Sequence, residues 1–82
     1  MKILYFSSLR ECIGVSSEEY RTDQTTILGL INELIDREPR YREAFKNLAM
    51  IKVAIDHELI DDMNATILDA DEIAFFPPMT GG

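Results

Sequence analysis

The sequence predicts an α+β domain in which one main helix packs on one face of a mixed sheet of about five strands. Three observations support this fold class. Apolar residues recur at helical spacing in the middle of the chain, an alternating segment follows them, and short β-rich segments stand near both ends. The order strand, strand, helix, strand, short strand, strand is typical of a single helix that covers one sheet.

Two strands and a short helix are predicted ahead of the main helix. Residues 2–7 are β-rich and predict a first strand. Residues 8–11 read Ser-Leu-Arg-Glu, the spacing of a capping box, so we expect a short helix over residues 9–13. Gly14 can end that helix in the left-handed conformation. Residues 16–22 alternate weakly and predict an edge strand beside the first.

The most regular pattern is an apolar stripe at positions i, i+3, i+4, i+7 and i+8, formed by Ile27, Leu30, Ile31, Leu34 and Ile35. This spacing predicts a helix that is packed on one side. Thr26 is a suitable N-cap, and Pro39 forbids continuation, so the helix should end near Glu38. Apolar residues at helical spacing from Tyr41 to Leu48 predict a second short helix.

The second half of the chain predicts three strands. Residues 50–55 alternate between apolar and polar side chains, as in a half-buried strand. Asp56 and His57 follow, and both residue types tolerate positive φ, so we expect a tight turn there. Residues 58–60 would form the return strand, and residues 72–76 the last one.

Pro77 and Pro78 should end the last strand, because proline donates no hydrogen bond to a sheet. We therefore expect a folded domain over residues 1–76 and an extended, flexible tail over residues 77–82. A chain of 82 residues is enough for one such domain.

The charge balance argues against some classes of partner, and the hydropathy argues against a secretory signal and a membrane span. Acidic residues outnumber basic ones 15 to 8, for a formal net charge of −7. Phosphate contacts need Lys and Arg, so we expect neither nucleic acid nor an anionic membrane as a partner. No apolar run reaches the ~7–15 residues of a secretory signal or the ~20 of a membrane span. The default expectation is a soluble cytoplasmic protein.

Conventional catalytic and metal sites are not expected. Cys12 and His57 are the only thiol and imidazole, and nothing in the sequence links them into a nucleophile–base pair. Residues 56–62 include four carboxylates, but they lack the spacing and the glycine of an EF-hand and the soft ligands of a zinc site. We interpret them as a solvated hairpin turn and expect no metal.

The C-terminus is the most distinctive chemical feature. Two aromatic residues, two prolines and a small spacer precede two glycines: Phe75, Phe76, Pro77, Pro78, Met79, Thr80, Gly81 and Gly82. An enzyme channel can close on the backbone of Gly81 and Gly82, because neither has a Cβ. Extended at ~3.1–3.3 Å per residue, residues 77–82 reach ~20 Å, enough to enter another protein's active site. A carboxylate that enters such a site can be activated by attack on ATP.

The chain resembles the molybdopterin synthase small subunits, which are ubiquitin-like β-grasp sulfur carriers. The resemblance spans essentially the whole chain, from Phe6 and the Leu-Arg-Glu of residues 9–11 to the last twelve residues, 71–82. Gly-Gly endings are common to ubiquitin-like carriers, whereas Phe-Phe-Pro-Pro before a small spacer is specific to the molybdopterin branch. The resemblance implies the β-grasp fold.

The resemblance also implies a mechanism in which Gly82 carries the sulfur and the chain is not catalytic alone. An E1-like enzyme would adenylate Gly82 with ATP, and a sulfur donor such as a cysteine desulfurase or rhodanese-like protein would convert the adenylate to a thiocarboxylate. The tail would then enter the large synthase subunit, in a heterotetramer, and convert cyclic pyranopterin monophosphate to the dithiolene of molybdopterin. The chain itself would bind no cofactor.

Four residues outside the tail are implied to contact partners. Phe6, Leu59 and Phe76 match apolar positions of the family's docking face, and an exposed apolar patch of this kind usually marks an interface. Arg10 is expected either to pair with a carboxylate of a partner or to form an exposed ion pair within the chain.

The chain departs from the family pattern at two turns. Asp56-His57 stands where the family often has Asn followed by Gln or Gly, and Ala70 stands where it usually has Gly. An Ala in the left-handed conformation would cost ~1–2 kcal/mol, so we expect a different geometry before the last strand.

Other functions remain open at this point. A sister carrier for thiamine synthesis or tRNA thiolation, or a ubiquitin-like modifier attached to lysines, would use Gly82 in the same way. A passive protein-binding module with an incidental tail, and a self-sufficient enzyme using Cys12 and His57, are alternatives from other classes.

Overall fold

A five-stranded mixed sheet is the framework of the chain in a computed structural model, which describes residues 1–77. The strands are β1 (Lys2–Tyr5), β2 (Ser17–Glu19), β3 (Lys52–Ile55), β4 (Glu58–Ile60) and β5 (Glu72–Phe76). Their order across the sheet is β2-β1-β5-β3-β4. β1 and β5 are parallel, and the other neighbouring pairs are antiparallel. The predicted α+β class is confirmed.

The main helix, α2 (Ile27–Arg37), lies where the apolar stripe predicts it. Its first four stripe residues are buried and Ile35 is partly buried. The hydroxyl of Thr26 accepts a hydrogen bond from the backbone N–H of Gly29 at 3.0 Å, so the predicted N-cap is confirmed. Glu38, in extended conformation, ends the helix.

The second predicted helix is shorter than its apolar spacing indicates. Helix α3 (Pro39–Ala44) ends before Leu48, which starts a separate 3-10 turn, Leu48–Met50. The break has a backbone cause: Asn47 has φ −123° and ψ 77°, outside the helical region, so no continuous helix can reach Leu48. Helical spacing alone does not reveal such an interruption.

The predicted capping box is wrong. Helix α1 (Ser7–Ile13) starts one residue before Ser8, and its N-cap is Phe6, whose side chain makes no capping bond. The N–H of Phe6 donates to the carbonyl of Phe75 at 3.1 Å, and the carbonyl of Phe6 accepts from Leu9 at 3.1 Å. One residue, Phe6, therefore completes the sheet and begins the helix, and β1 ends two residues earlier than predicted.

Left-handed residues mark three turns. Gly14 (φ 95°) ends α1, and Asp56 (φ 49°) with His57 (φ 74°) forms the tight β3–β4 turn, both as predicted. Before β5 the left-handed residue is Asp69 (φ 62°). Ala70 therefore avoids the unfavourable conformation, because Asp tolerates this region better than Ala.

Helices and sheet enclose one core. Alternate side chains of the strands face the helices, and the ring of Phe75 in β5 lies 5.0 Å from that of Phe45 and 6.2 Å from that of Tyr5. These aromatic side chains are almost fully buried. Burial of each large apolar side chain contributes ~1.5–3 kcal/mol, which makes this core the main source of stability.

A polar cluster around Glu18 holds the short edge strand β2 against the rest of the domain. The hydroxyls of Tyr5 and Tyr41 donate to the Glu18 carboxylate at 2.8 and 2.6 Å, and the guanidinium of Arg37 donates to it at 3.0 Å. Burial opposes ionisation of Glu18, but these hydrogen bonds, from Tyr41 first, outweigh burial and lower the pKa of Glu18. The cluster thus links β2 to β1, α2 and α3.

We expect Glu18→Gln to lower the free energy of unfolding by ~1–3 kcal/mol at neutral pH, because the hydrogen bonds to a partly buried acceptor lose their charge assistance. The measurement is urea unfolding of the full chain. Glu19→Gln is the matched control, since Glu19 is exposed and its carboxylate lies 3.8 Å from the N-terminal amine.

The stabilising effect of ionised Glu18 also depends on pH. The pKa is lowered in the folded state, so the effect is present above the ordinary carboxyl pKa and is lost as the pH falls through the lowered value. The difference between the wild type and Glu18→Gln should therefore shrink in acid. If the difference in unfolding free energy is absent at neutral pH, or grows in acid, then ionised Glu18 does not stabilise the fold.

Candidate functional site

The face of the sheet opposite the helices carries a row of apolar side chains. Leu4 pairs with Ala74 across β1 and β5, Ala74 pairs with Ala54 of β3, and Ala54 pairs with Leu59 of β4. Paired residues project on the same side of a sheet, so these four side chains form one row. Leu59 is the most exposed of them, at 65%.

Phe6 and Phe76 extend this row to the end of the sheet from which the chain leaves. Their ring centroids are 6.2 Å apart in an edge-to-face arrangement. Phe6 is 44% exposed and Phe76 is half-buried. We call the surface formed by these residues the apolar face; its members are Leu4, Phe6, Ala54, Leu59, Ala74 and Phe76.

The structure therefore brings together three of the residues that the sequence suggests for docking. Phe6 and Phe76 are in contact, and Leu59 lies on the same face two strands away from β5. Leu4, Ala54 and Ala74 were missed. Their signal was present in the strand sequences, because Lys-Ile-Leu-Tyr and Glu-Ile-Ala-Phe-Phe are apolar on both faces, a pattern of strands that are covered on both sides.

Arg10 stands apart from the apolar face. It lies on α1, one turn after Phe6, and is exposed. Among residues 1–77 its side chain has no salt-bridge or hydrogen-bond partner, so within that part of the chain the expected internal ion pair is not formed. A role for Arg10 in partner recognition stays a prediction.

The tail begins at the central strand of the sheet. β5 has neighbours on both sides, β1 and β3, and ends at Phe76. Pro77 follows and is half-buried. The remaining predicted tail residues lie outside the described part of the chain: Pro78, Met79, Thr80, Gly81 and Gly82. Their roles therefore rest on the sequence.

A Cys12–His57 catalytic pair is incompatible with the topology. His57 lies in the β3–β4 turn, and its Nδ1 is 3.5 Å from the carboxylate of Glu72, the first residue of β5. Cys12 lines a groove together with Pro77, beyond the other end of the same strand. Five strand residues span about 16 Å, far more than hydrogen-bond reach.

The carboxylate of Asp56 in the hairpin turn has structural partners. One oxygen of Asp56 accepts hydrogen bonds from the backbone N–H groups of Asp71 and Glu72, each at 2.9 Å, which joins the β3–β4 turn to the start of β5.

Within residues 1–77, no group of three or more His, Cys, Asp or Glu side chains is arranged to hold a metal ion. In the same range, no helix has the length and hydropathy needed to cross a membrane.

The fold and the strand end define a class of protein: a small ubiquitin-like domain whose last strand leaves the sheet at the rim of an apolar face. A family model described as the ThiS family matches residues 3–82. The chain belongs to the ThiS family, and the resemblance to the sulfur carriers is confirmed.

Two curated relatives match the chain over its whole length. The molybdopterin synthase sulfur carrier subunit of Escherichia coli is 30% identical over 82 residues, covering 100% of this chain and 99% of that protein. The subunit of the same name from Haemophilus influenzae is 32% identical over 82 residues, with the same coverage. The similarity to these carriers thus includes both the domain and the tail.

Two solved structures share the fold. Small archaeal modifier protein 1 of Haloferax volcanii has a TM-score of 0.72 at 20% identity, covering 96% of this chain and 97% of that chain. A chain from the complex of subunits 1 and 2 of the molybdopterin-converting factor of Helicobacter pylori has a TM-score of 0.64 at 21% identity, covering 99% and 96%. This likeness confirms the predicted β-grasp fold.

Proposed function

We propose that the chain is the sulfur-carrier subunit of a molybdopterin synthase and that it carries the sulfur as a thiocarboxylate on Gly82. The observation that carries the proposal is the full-length match to sulfur carrier subunits of this name, at 30% and 32% identity. The geometry supports it, because β5, the last strand before Gly82, ends beside the edge-to-face pair of Phe6 and Phe76.

The chemistry proceeds in three steps on the terminal carboxylate: adenylation, displacement of AMP by sulfur, and reduction. In the first, an E1-like enzyme catalyses attack of a Gly82 carboxylate oxygen on the α-phosphorus of ATP, which forms the acyl-adenylate and releases pyrophosphate. In the second, sulfur delivered as a persulfide by a cysteine desulfurase or rhodanese-like donor displaces AMP. Reductive cleavage of the resulting acyl disulfide by a thiol leaves the thiocarboxylate. ATP is thus consumed by the partner, and the chain itself holds no cofactor.

In this proposal the chain presents its terminal carboxylate to the active sites of partner proteins and does not itself catalyse the reaction. Fully extended at ~3.1–3.3 Å per residue, six residues such as 77–82 would span ~20 Å, enough for the carboxylate to reach a buried active site while the domain stays outside. Pro77 and Pro78 reduce the entropy that the tail loses on insertion. Gly81 and Gly82 allow the walls of the channel to approach the backbone.

The apolar face docks the large subunit in this proposal. Its exposed members Phe6 and Leu59 would lose contact with water, and aromatic residues such as Phe6 are enriched in interfaces. A complex of subunits 1 and 2 is the subject of the Helicobacter pylori structure, which supports a large-subunit partner. The heterotetramer is the assembly that we propose for the two subunits. Arg10, exposed one turn away from Phe6, would pair with a carboxylate of a partner.

A protein modifier is the second candidate. It is favoured by the structural likeness to small archaeal modifier protein 1, whose fold this chain shares at a TM-score of 0.72. Both candidates activate Gly82, and they differ in the acceptor. Formation of the dithiolene product with the large subunit and the cyclic precursor supports the carrier, whereas exclusive conjugation to lysine side chains would support the modifier.

The terminal carboxylate should gain sulfur in a reconstituted reaction. After incubation with ATP, an E1-like enzyme and a sulfur source, mass spectrometry should show one oxygen exchanged for one sulfur at Gly82. A chain extended by one alanine beyond Gly82 is the control. It should unfold at the same urea concentration and gain no sulfur, because its glycine carboxyl is blocked. Sulfur transfer by the extended chain would rule out the proposal.

Leu59→Asp should weaken binding to the large subunit at least ~10-fold, which corresponds to ~1.4 kcal/mol. The physical reason is that a charged side chain would be desolvated when the large subunit covers the apolar face. Leu68→Asp is a matched control, since Leu68 is also 65% exposed but lies on the loop before β5. Calorimetric titration measures the affinity of each variant for the large subunit. Equal losses of affinity in the two variants would exclude the apolar face as the docking surface.

A further inference from the structure

The apolar face lies between two rows of side chains that differ in charge. In the first row, at the start of β5, Lys2 pairs with Glu19 on one side and with Glu72 on the other. In the second row, at the end of β5, Phe76 pairs with Lys52. Side chains alternate along each strand and paired residues project on the same side, so both rows lie on the side of the apolar face. We call them the acidic row and the lysine row.

Charge is thus separated along the strands. The acidic row has two carboxylates and one ammonium group, and Asp56 adds a third carboxylate where its side chain accepts from the N–H of Glu72. Lys52 is exposed, and among residues 1–77 its ammonium group has no salt-bridge partner. Asp61 directly follows β4, the strand beside Lys52, but within that range no ion pair joins the two.

A two-fold axis that runs across the strands makes this face complementary to itself. Such an axis places a second sheet antiparallel to the first, so the lysine row of each copy lies over the acidic row of the other. Glu72 of one copy then faces Phe76 of the other and is displaced by one strand spacing, ~4.8 Å, from Lys52. The middle row, with Leu4 and Leu59 near its two ends, lies on the axis and packs against itself.

The charges disfavour the other face-to-face arrangement. A two-fold axis parallel to the strands, through the central strand β5, would place the acidic row over itself. Glu72 would then face Glu72 of the second copy. Like charges in direct opposition weaken an interface, so the charges of this face specify the antiparallel arrangement.

We propose that the free chain forms a weak, reversible dimer through the apolar face, with the two sheets antiparallel. Five strands ~4.8 Å apart and ~17 Å long give a contact of ~400 Å² on each copy, or ~800 Å² in total. Stable interfaces bury ~1,200–2,000 Å², and smaller ones belong to transient complexes. The dimer therefore shields Phe6 and Leu59 from water and still opens readily.

The net charge of −7 is compatible with this contact. At physiological ionic strength, screening limits the reach of exposed charges to ~8 Å, which is shorter than the 11.7 Å radius of gyration of the domain. Repulsion between carboxylates on the far sides of two copies is therefore largely screened. The contacts between the acidic row and the lysine row are shorter than the screening length and keep their effect.

The dimer and the proposed complex with the large subunit use the same surface, so each excludes the other. The large subunit binds only the open form, and its apparent dissociation constant rises by the inverse of the monomer fraction. The dimer goes beyond the carrier function and does not depend on it, because its formation needs neither ATP nor sulfur nor another protein.

Sedimentation equilibrium of the full chain tests the dimer from ~10 μM to ~1 mM, a range that brackets the affinities of small interfaces. The average mass should rise with concentration from that of the monomer towards that of the dimer. A mass that stays monomeric over the whole range would overturn the proposal. A mass that grows beyond the dimer would also overturn it, because a closed two-fold contact cannot add a third copy.

Charge reversals test the antiparallel arrangement. Lys52→Glu and Glu72→Lys should each weaken self-association at least ~10-fold, because each places like charges across the interface twice. A mixture of the two variants should dimerise again, since the reversed charge of each variant then meets an opposite charge on the other. A mixture that stays monomeric would overturn the proposed arrangement.

Arg42→Glu is the matched control for Lys52→Glu. Both substitutions make the net charge more negative by the same amount, but Arg42 is exposed on α3, on the helix side of the sheet. Arg42→Glu should leave the dimer nearly unchanged. Equal losses of self-association in the two variants would overturn the proposal, because net charge and not the face would then control association.

The methyl resonances of Leu4 and Leu59 report on the face itself. Their chemical shifts should change as the concentration of the chain rises, and Lys52→Glu should abolish that change. If they change only when the large subunit is added, the face is reserved for that partner and the proposed dimer is wrong.

Discussion

The double pairing of β5 is the constraint on which the rest of the structure depends. This strand is parallel to β1 on one side and antiparallel to β3 on the other, so it lies at the centre of the sheet. Its inward side chains, Ile73 and Phe75, enter the core, and its outward side chains, Ala74 and Phe76, form part of the apolar face. One segment of five residues thus connects the core, the docking surface and the start of the tail.

A domain of this size can leave one face of its sheet uncovered only because the side chains of the other face pack into a large core. The aromatic core holds the central strands, while the edge strand β2 has only three residues and depends on the polar cluster around Glu18. A second carboxylate, Glu33 of α2, accepts from Tyr20 at 3.0 Å and from Thr22 at 2.6 Å, just after that strand. Polar contacts thus secure the edge, and apolar burial secures the centre.

The sequence was sufficient to predict an element where its local signals and the tertiary fold favour the same structure. The main helix has both a stripe and an N-cap, and β5 has both β-rich residues and a proline that ends it, so both were predicted at nearly the right bounds. The β1–α1 junction was mispredicted, because the local capping motif at Ser8 competes with the sheet hydrogen bond of Phe6, and the sheet bond prevails. Secondary-structure periodicity carries no information on that competition.

The candidate site was predictable to a similar extent. Phe6, Leu59 and Phe76 were suggested by the resemblance, and the structure places them on one face. The row that connects them, through Leu4, Ala54 and Ala74, depends on the register of four strands, and register is a tertiary property. The groove beside Pro77 was likewise invisible, because its walls come from four separate segments of the chain.

The hydrogen bonds of Asp56 have a mechanical consequence. They tie the β3–β4 hairpin to the first residues of β5, at the end opposite the tail. A force that pulls on the tail acts along β5, parallel to its axis, and so loads the ladders to β1 and β3 in shear. The hydrogen bonds of both ladders then resist the force together. The hydrogen bonds of the Asp56 carboxylate hold the end of β5 that is opposite the tail. The chain can therefore be held by its last residues while its body stays intact.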